Sequence, residues 1–282
     1  YPRRGVIHID APEPARFDLN ETKYITDRLM RQFEAFSDVN ERNTKPVRTS
    51  ACGRCDFQGR CTSEWRAADS PTFVAGIRGD QIAKLELAGI TTLRQLAGLD
   101  SVKSVAGIGS ETLNKLSMQA RLQVRGTEEG KGLVELLDPT PLRGFDILPQ
   151  PAAGDLFYDI EGDPLYPDRL EYLHGLWGPI GADGSDGFHA IWAHTHEAEK
   201  NAFEELMSLF KRHLARYPDA HIYHYAAYEP TALKRLSQKY ATCEPELDQL
   251  LREKRFVDLY TIVRHAIRAS TESYSLKDLE KI

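Results

Sequence analysis

Residues 154–164, GDLFYDIEGDP, are the feature that most constrains the fold and the chemistry of this chain. A run of apolar residues is interrupted here by Asp159 and Glu161, and residues two apart in a β-strand project from the same face. Two carboxylates on one face repel each other unless a proton or a cation lies between them. Their oxygen atoms suit Mg²⁺ or Mn²⁺, so the segment predicts a metal-binding strand. In the alternative interpretation, the two acids only end a strand before the turn at residues 162–164.

The order of the remaining elements predicts a mixed α/β fold. Apolar, aromatic-rich runs predict four strands, at residues 156–162, 171–180, 187–195 and 220–225. Helical periodicity follows the third and fourth strands and fills the C-terminal stretch, at residues 197–217, 230–240 and 256–282. Three strands in a meander followed by helix, strand and helix predict a mixed sheet with helices packed on it.

Tyr228 and Glu229 directly follow the fourth predicted strand and begin a helix. An acid at this place can simply stabilise the positive end of the helix dipole. It can also reach the acids of the first strand, because adjacent parallel strands direct their carboxyl ends to one crevice. Both interpretations of Glu229 stay open at the level of sequence.

Five segments of the chain resemble segments of a known family and occur in the same order as there: FYDIEGDP, EYLHGLWG, HYAAYEPTALKRL, FVDLYTIVRH and SYSLKDLE. Residues 155–282 resemble the ribonuclease-H-like domain of DnaQ-type (DEDD) exonucleases. More narrowly, they resemble the version found in bacterial proteins that fuse a RecB-family nuclease, this domain and a superfamily I helicase. The resemblance implies a ribonuclease-H-like fold and 3′–5′ exonuclease-like hydrolysis of phosphodiester bonds with Mg²⁺ or Mn²⁺.

The resemblance also implies site residues. Asp159 and Glu161 match the first motif of the family, D-x-E. The second motif, Asn-x-x-x-aromatic-Asp, corresponds to His224, Tyr228 and Glu229, so that His stands in place of Asn and Glu in place of Asp. The resemblance places His224 and Tyr228 beside the nucleic acid and makes Glu229 a metal ligand.

Two further acids belong to this comparison. An Asp usually stands in the family at the place of Asp258, so the resemblance makes Asp258 a candidate catalytic residue. In the alternative interpretation, Asp258 is the N-cap of the helix that follows. The third motif supplies a late Asp, which is expected beyond Ile282. The implied mechanism is two-metal hydrolysis, with Asp159, Glu161 and Glu229 holding the ions.

Three of the four cysteines lie within ten residues, in the order C-x2-C-x5-C: Cys52, Cys55 and Cys61. Thiolates at this spacing suit zinc or an iron–sulfur cluster, although each normally needs a fourth ligand. The spacing resembles the C-terminal cysteine trio of RecB-family nucleases that carry a [4Fe–4S] cluster. That resemblance implies that residues 1–66 are the end of such a nuclease domain, whose catalytic residues lie outside this chain. Three thiols without a complete metal site are the alternative.

Residues 67–125 are predicted to be helical, and SVAGIGSETLNKLSMQARLQV has the form of a helix–hairpin–helix. Its glycines permit positive φ and let backbone N–H groups approach a phosphate at the start of the second helix. Such hairpins bind the nucleic-acid backbone without reading sequence. The candidate contacts are Gly107, Gly109, a capping Ser110 and Lys115. The alternative is a purely structural helical module.

Composition and charge bound the function. Residues 126–154, which are punctuated by Pro and Gly, are predicted to be a linker with little structure of its own. The net charge of −6 argues against a broad basic surface, but not against a local nucleic-acid site. No apolar run approaches the roughly 18–20 residues of a transmembrane helix, so we expect a cytoplasmic protein with no membrane partner.

The sequence favours a metal-dependent nuclease whose partners are DNA, as single strands or ends, or RNA, and a fused or associated helicase domain. Its rival is a catalytically inactive scaffold that binds nucleic acid for the helicase. Metal binding at Asp159 and Glu161 separates the two functions, because a scaffold has no need of it. A zinc-type protein-interaction module around the cysteines is a third, weaker hypothesis.

Overall fold

The computed structural model describes residues 3–7, 13, 15–37, 45–100, 104–181 and 183–282. The chain divides into two compact units, residues 1–49 and residues 50–282. In the first unit, strand β1 (Arg4–Ile7) pairs antiparallel with β2 (Ala15–Asp18), and helix α1 (Leu19–Ser37) follows. The sequence predicts one strand here, GVIHIDA at residues 5–11, and one helix at residues 21–39, although residues 8–11 and 38–39 lie outside the described part. Strand β2 is missed because its four residues are too few to show alternation.

The second unit begins with four helices, α2 (Gln58–Ala67), α3 (Gly79–Leu87), α4 (Leu93–Ala97) and α5 (Ser110–Glu129). Leucine side chains of α3, α4 and α5 form one buried cluster, which Ile90 and Ile108 of the connecting segments join. A capping box fixes the start of α4, where Thr92 Oγ1 accepts from Gln95 N at 3.0 Å. Gly130, at φ 63°, ends α5.

The turn that the sequence predicts at Gly107 and Gly109 is present, but the residues directly before it are not helical. Residues 104–109 form one turn, closed by a bridge between Val105 and Ile108. The N-cap of α5 is Gly109, and Ser110 is the first residue of the helix, so Ser110 does not cap it.

A five-stranded mixed sheet forms the centre of the remaining chain. Its strands are β4 (Leu156–Asp163), β5 (Leu170–Gly178), β6 (Gly187–Trp192), β7 (Ile222–His224) and β8 (Phe256–Asp258). They lie in the order β6-β5-β4-β7-β8; β4, β5 and β6 pair antiparallel, whereas β7 and β8 continue parallel to β4. The predicted mixed sheet and its three-strand meander are confirmed.

Helices α6 (His196–Arg216), α7 (Tyr228–Tyr240) and α8 (Glu244–Arg252) bury one face of the sheet. Helix α9 (Leu259–Ala266) packs against β7 and β8 through Leu259 and Ile262. A short strand, β9 (Ile267–Ala269), and helix α10 (Leu276–Leu279) complete the described chain. Strand β8 and helix α8 are absent from the sequence prediction, which made residues 256–258 helical.

The predicted linker contains structure. Helix α5 extends to Glu129, and strand β3 (Val134–Leu136) pairs antiparallel with β9. A short 3-10 helix, Gly144–Ile147, lies next to α9, and the positive φ of Gly144 brings it close to the carbonyl of His265. Backbone pairing and close packing therefore fix this segment to the sheet domain.

Buried amides join α5 to the same domain. Gln119 Nε2 donates to Ala269 O at 2.8 Å, and Tyr274 Oη donates to Gln119 Oε1 at 3.0 Å. Gln123 bonds the backbone of Phe73 and Ala75 at 2.8 and 3.0 Å. Because Gln119 is buried, separating α5 from β9 would break both of its bonds to the sheet domain.

Among the described residues, the helices are all too short or too polar to cross a bilayer. The cytoplasmic location stays a prediction.

Candidate active site

Asp159 and Glu161 lie on β4, the central strand of the sheet. Leu156, Tyr158 and Ile160 are buried against the helices, while the alternate residues face the other way. The two carboxylates therefore share one face, as the alternation predicts. We call this the open face, defined by Phe157, Asp159 and Glu161.

Aromatic side chains surround the carboxylates on the open face. Phe157 pairs across strands with Trp177, which pairs in turn with Phe188, and each of the three is at least half exposed. Trp192, 56% exposed, lies in the same register row as Glu161, with Leu173 between them. Two of the three tryptophans of the chain, Trp177 and Trp192, thus lie on the open face.

The carboxyl group of Asp159 is partly withdrawn from water. Its Oδ1 accepts a hydrogen bond from Ile160 N at 3.0 Å. Burial raises the pKa of Asp159, and the nearby carboxylate of Glu229 raises it further, against the lowering effect of the Ile160 hydrogen bond. Asp159 and Glu229 are therefore electrostatic neighbours that a cation would stabilise together.

Glu229 lies in the first turn of α7, directly after the loop that follows β7. Its side chain is buried, and Oε2 lies 3.3 Å from His224 Nδ1. That nitrogen is directed at Ala226 O, 2.7 Å away, so Oε2 has no hydrogen-bond partner. A buried carboxylate oxygen without a partner is costly, and its electrostatic effect on Asp159 makes the two carboxylates candidate ligands of one cation.

The hydroxyl of Tyr228 is directed at Glu171 rather than at Asp159 and Glu161. It donates to the carboxylate of Glu171 at 2.9 Å and accepts from Arg169 Nη2 at 2.7 Å. Glu171 is fully buried and is also paired with Arg235. The motif spacing does not predict this cluster, although an acid at the start of the apolar run EYLHGLWG is a signal of it.

Asp258 has a structural role. Its Oδ1 accepts from Tyr260 N at 2.9 Å and from Thr261 N at 3.3 Å, which caps α9. The same oxygen accepts from Ala226 N at 2.9 Å, and Thr261 Oγ1 donates to Oδ2 at 2.6 Å. These contacts match the N-cap interpretation and tie α9 to the loop before Glu229.

Within the described residues, no three His, Cys, Asp or Glu side chains are grouped closely enough to hold a metal ion. Asp159 and Glu229, which interact electrostatically, are two candidate donors, and Glu161 lies two residues further along β4. Oxygen donors of this kind fit Mg²⁺ or Mn²⁺, but they form an incomplete set.

The cysteines are not brought together as a metal centre either. Cys52 lies in a short 3-10 helix, Ser50–Arg54, Cys55 follows it, and Cys61 is in α2. All four cysteines of the chain are in the described part, and none of them is in a disulfide.

The residues that are predicted to contact the nucleic-acid backbone lie in the first turns of α5 and in the turn directly before it. Gly107 has φ 78° and packs against the side chain of Lys84, whereas the space beside Gly109 is open. Lys115 pairs with Glu111 at 2.6 Å, and both side chains are exposed.

In the comparison with known families, residues 156–282 match a model, RNase_H_2, of the RNase_H superfamily. The comparison with curated proteins and that with solved structures gave no match. The matched residues begin at β4 and include the whole five-stranded sheet, so this part of the chain has an RNase H-like fold. Domains of this superfamily are typically nucleases, and the fold implies binding of nucleic acid.

Proposed function

We propose that residues 156–282 form a metal-dependent nuclease domain that hydrolyses phosphodiester bonds of DNA or RNA. The observation that carries the proposal is the buried, unpartnered oxygen of Glu229, whose carboxylate acts electrostatically on Asp159 of the central strand. The match to the RNase_H superfamily over these residues supports it.

Asp159, Glu161 and Glu229 are the proposed ligands of Mg²⁺ or Mn²⁺, in a 3′–5′ exonuclease-like (DEDD-type) site. Such ions lower the pKa of a bound water and stabilise the leaving oxygen of a phosphodiester. Glu229 is held by the start of α7 beside His224, and Asp258 positions it by anchoring Ala226. Tyr228 supports the loop through Glu171, rather than contacting the reacting phosphate.

The test is Mn²⁺-dependent hydrolysis of labelled single-stranded DNA and RNA by the natural full-length polypeptide. Asp159→Asn should abolish hydrolysis, because it removes the charge from the central donor. Asp186→Asn, an equal change at an exposed site between β5 and β6, should leave it unaltered. Equal hydrolysis by the wild type and by Asp159→Asn would sink the proposal.

A catalytically inactive nucleic-acid-binding scaffold is the second candidate. It is favoured by the absence, among the described residues, of a group of three metal ligands and by His224 and Glu229 at places where the resembling family has Asn and Asp. Nucleic-acid binding by wild type and Asp159→Asn alike, with no Mn²⁺ bound by either, is the result that this function predicts.

The wider context is part of the same proposal. The Gly107–Gly109 turn and Lys115 would contact the DNA backbone as a helix–hairpin–helix. Cys52, Cys55 and Cys61 would contribute to a [4Fe–4S] cluster or a zinc site of a RecB-family nuclease whose helicase domain is fused or associated. Iron and zinc analysis of the full-length protein, with Cys55→Ser as the comparison, tests the cysteines; metal content unaltered by the substitution would exclude them.

A further inference from the structure

A cleft of about 480 Å³ lies between the helical segment and the sheet domain, inside the second compact unit. Its walls come from α3 and α5, from residues 137–143 and from the end of α9 with β9. Two carboxylates line the cleft, Glu111 and Asp138. Five cationic side chains line it as well: Arg78, Lys115, Arg143, Arg264 and Arg268. Because the chain has a net charge of −6, this positive excess is a local property of the cleft. We call it the basic cleft.

Three of the five cations are neutralised by carboxylates. Arg78 pairs with Asp80 at 3.0 Å, Lys115 with Glu111 at 2.6 Å and Arg268 with Glu135 at 3.2 Å. Within the described part of the chain, Arg143 and Arg264 are in no ion pair, yet both line the cleft and are exposed. Arg143 is near enough to Glu111 to help Lys115 lower the pKa of that carboxyl, and Asp138 lines the same cleft. Two guanidinium groups outside ion pairs still exceed the one carboxylate, Asp138, that is in no ion pair in the described part of the chain, and this excess is suited to an anionic ligand.

Arg264 is held in place without being neutralised. Its Nη1 donates to Tyr260 Oη at 3.0 Å, and its guanidinium carbon lies 5.3 Å from the centre of the Tyr274 ring. Gly76, at φ 80°, packs against the same guanidinium. Contact with aromatic rings fixes the group while leaving further N–H donors for a ligand.

Arg143 is positioned by its neighbour. Gly144 has φ 58°, and a Cβ atom there would lie 2.8 Å from His265 O, so only glycine lets the backbone approach the end of α9 this closely. The start of the segment 137–143 is also fixed to the end of α9, since Leu137 N donates to Ala266 O at 2.9 Å. Together with the Gln119–Ala269 hydrogen bond, these contacts make the cleft preformed.

We propose that the basic cleft binds the phosphate backbone of a nucleic-acid strand, through Arg143 and Arg264, and delivers that strand to the sheet domain. Guanidinium groups bind phosphate in a bidentate manner and without reading sequence. Helix α9 connects the two places: it begins at Asp258, which anchors the loop before Glu229, and Arg264 lies about 9 Å further along its axis. The choice of nucleic acid as ligand rests on the proposed function.

The test is binding of a fluorescein-labelled 20-nucleotide single strand, measured by anisotropy in EDTA at several NaCl concentrations. The variant is Arg143→Ala/Arg264→Ala. Its matched control is Arg212→Ala/Lys234→Ala, which removes two exposed cations of α6 and α7 outside the cleft. Arg143→Ala alone, which touches no aromatic ring, and thermal unfolding of each variant separate lost binding from lost folding.

We expect the cleft variant to bind at least about tenfold more weakly at 0.1 M NaCl, with a salt slope reduced by about two, while the control stays within about twofold. Wild-type affinity in the cleft variant would overturn the proposal. So would competition by inorganic phosphate or a nucleoside triphosphate as effective as that by unlabelled strand, since the cleft would then be a small-anion site. Strand binding that depends on the cleft, without any hydrolysis, would refute the proposed nuclease activity and support the proposal for the cleft. Hydrolysis by the cleft variant with the wild-type KM would support the nuclease activity and refute the role of the cleft.

Discussion

Oε2 of Glu229 lies 3.3 Å from Nδ1 of His224 and has no hydrogen-bond partner, because that nitrogen is directed at Ala226 O. The carboxylate is itself buried, and after burial it is the second influence that raises the pKa of Asp159. An unsatisfied buried charge lowers the stability of a fold unless another group or ion compensates it. A buried carboxylate without a partner at this place is what a ligand-binding role predicts.

Glu229→Gln tests this relationship. Removing the buried charge should raise the free energy of unfolding in EDTA by about 1 kcal/mol, because the isosteric amide costs less to bury. The same variant should gain less stability than the wild type when Mn²⁺ is added, since ligand binding stabilises the folded state by mass action. Urea unfolding with and without Mn²⁺ measures both effects. Destabilisation of the metal-free protein would instead assign Glu229 a structural role.

Asp258 should act as a cap rather than as a metal ligand. Asp258→Ala removes the acceptor for Tyr260, Thr261 and Ala226 and should cost about 2 kcal/mol of unfolding free energy. Asp258→Asn keeps an oxygen acceptor at the N-cap and should retain most of that stability, together with Mn²⁺ binding. A stable Asn variant that no longer binds Mn²⁺ would return Asp258 to the ligand set.

His174 predicts a pH dependence of stability. It is fully buried, Tyr158 Oη lies 2.8 Å from its Nδ1, and burial lowers its pKa to about 4. Between the usual His pKa of about 6.5 and this value, the unfolded chain binds more protons than the folded one. The free energy of unfolding should therefore fall as the pH is lowered through this window, by about 3 kcal/mol in all.

Urea unfolding at a series of pH values from 7 to 4 measures this slope. His174→Gln keeps an acceptor for Tyr158 and cannot titrate, so its stability should depend less steeply on pH. Equal slopes for the two proteins would show that His174 is not kept neutral by burial.

The attachment of α5 to the sheet domain rests on a few buried polar groups. Gln119→Ala leaves Ala269 O and Tyr274 Oη without their partner and should cost about 1–3 kcal/mol. Gln238→Ala, at an exposed position of α7, should stay within about 0.5 kcal/mol of the wild type. Chemical unfolding of both variants measures the difference, and an equally small effect of Gln119→Ala would mean that the buried amide does not join the two parts.

The sequence predicts those parts of the fold whose local pattern is strong. β4, β5 and β6 are long, aromatic-rich and alternating, and their meander follows from the order of the runs. β8 has three residues and is a strand because it pairs with β7, which no local pattern shows. The pairing of β3 with β9 joins segments about 130 residues apart and made the supposed linker part of the domain.

The candidate site divides in the same way. The shared face of Asp159 and Glu161 follows from strand periodicity alone, whereas the burial of Glu229 depends on how α7 packs. Tyr228 contacts Glu171, a pairing that no motif spacing indicates. The basic cleft is invisible in the sequence, because Arg143 and Arg264 come together only through the docking of distant segments.

The most direct test of the central claim is Mn²⁺ binding, measured by titration calorimetry on the wild type, Asp159→Asn and the control Asp186→Asn. We predict that the wild type and the control bind Mn²⁺ equally, and that Asp159→Asn binds it at least tenfold more weakly, because Asp159 is the central oxygen donor. Equal affinity in all three proteins, or binding by none, would contradict a metal site at Asp159.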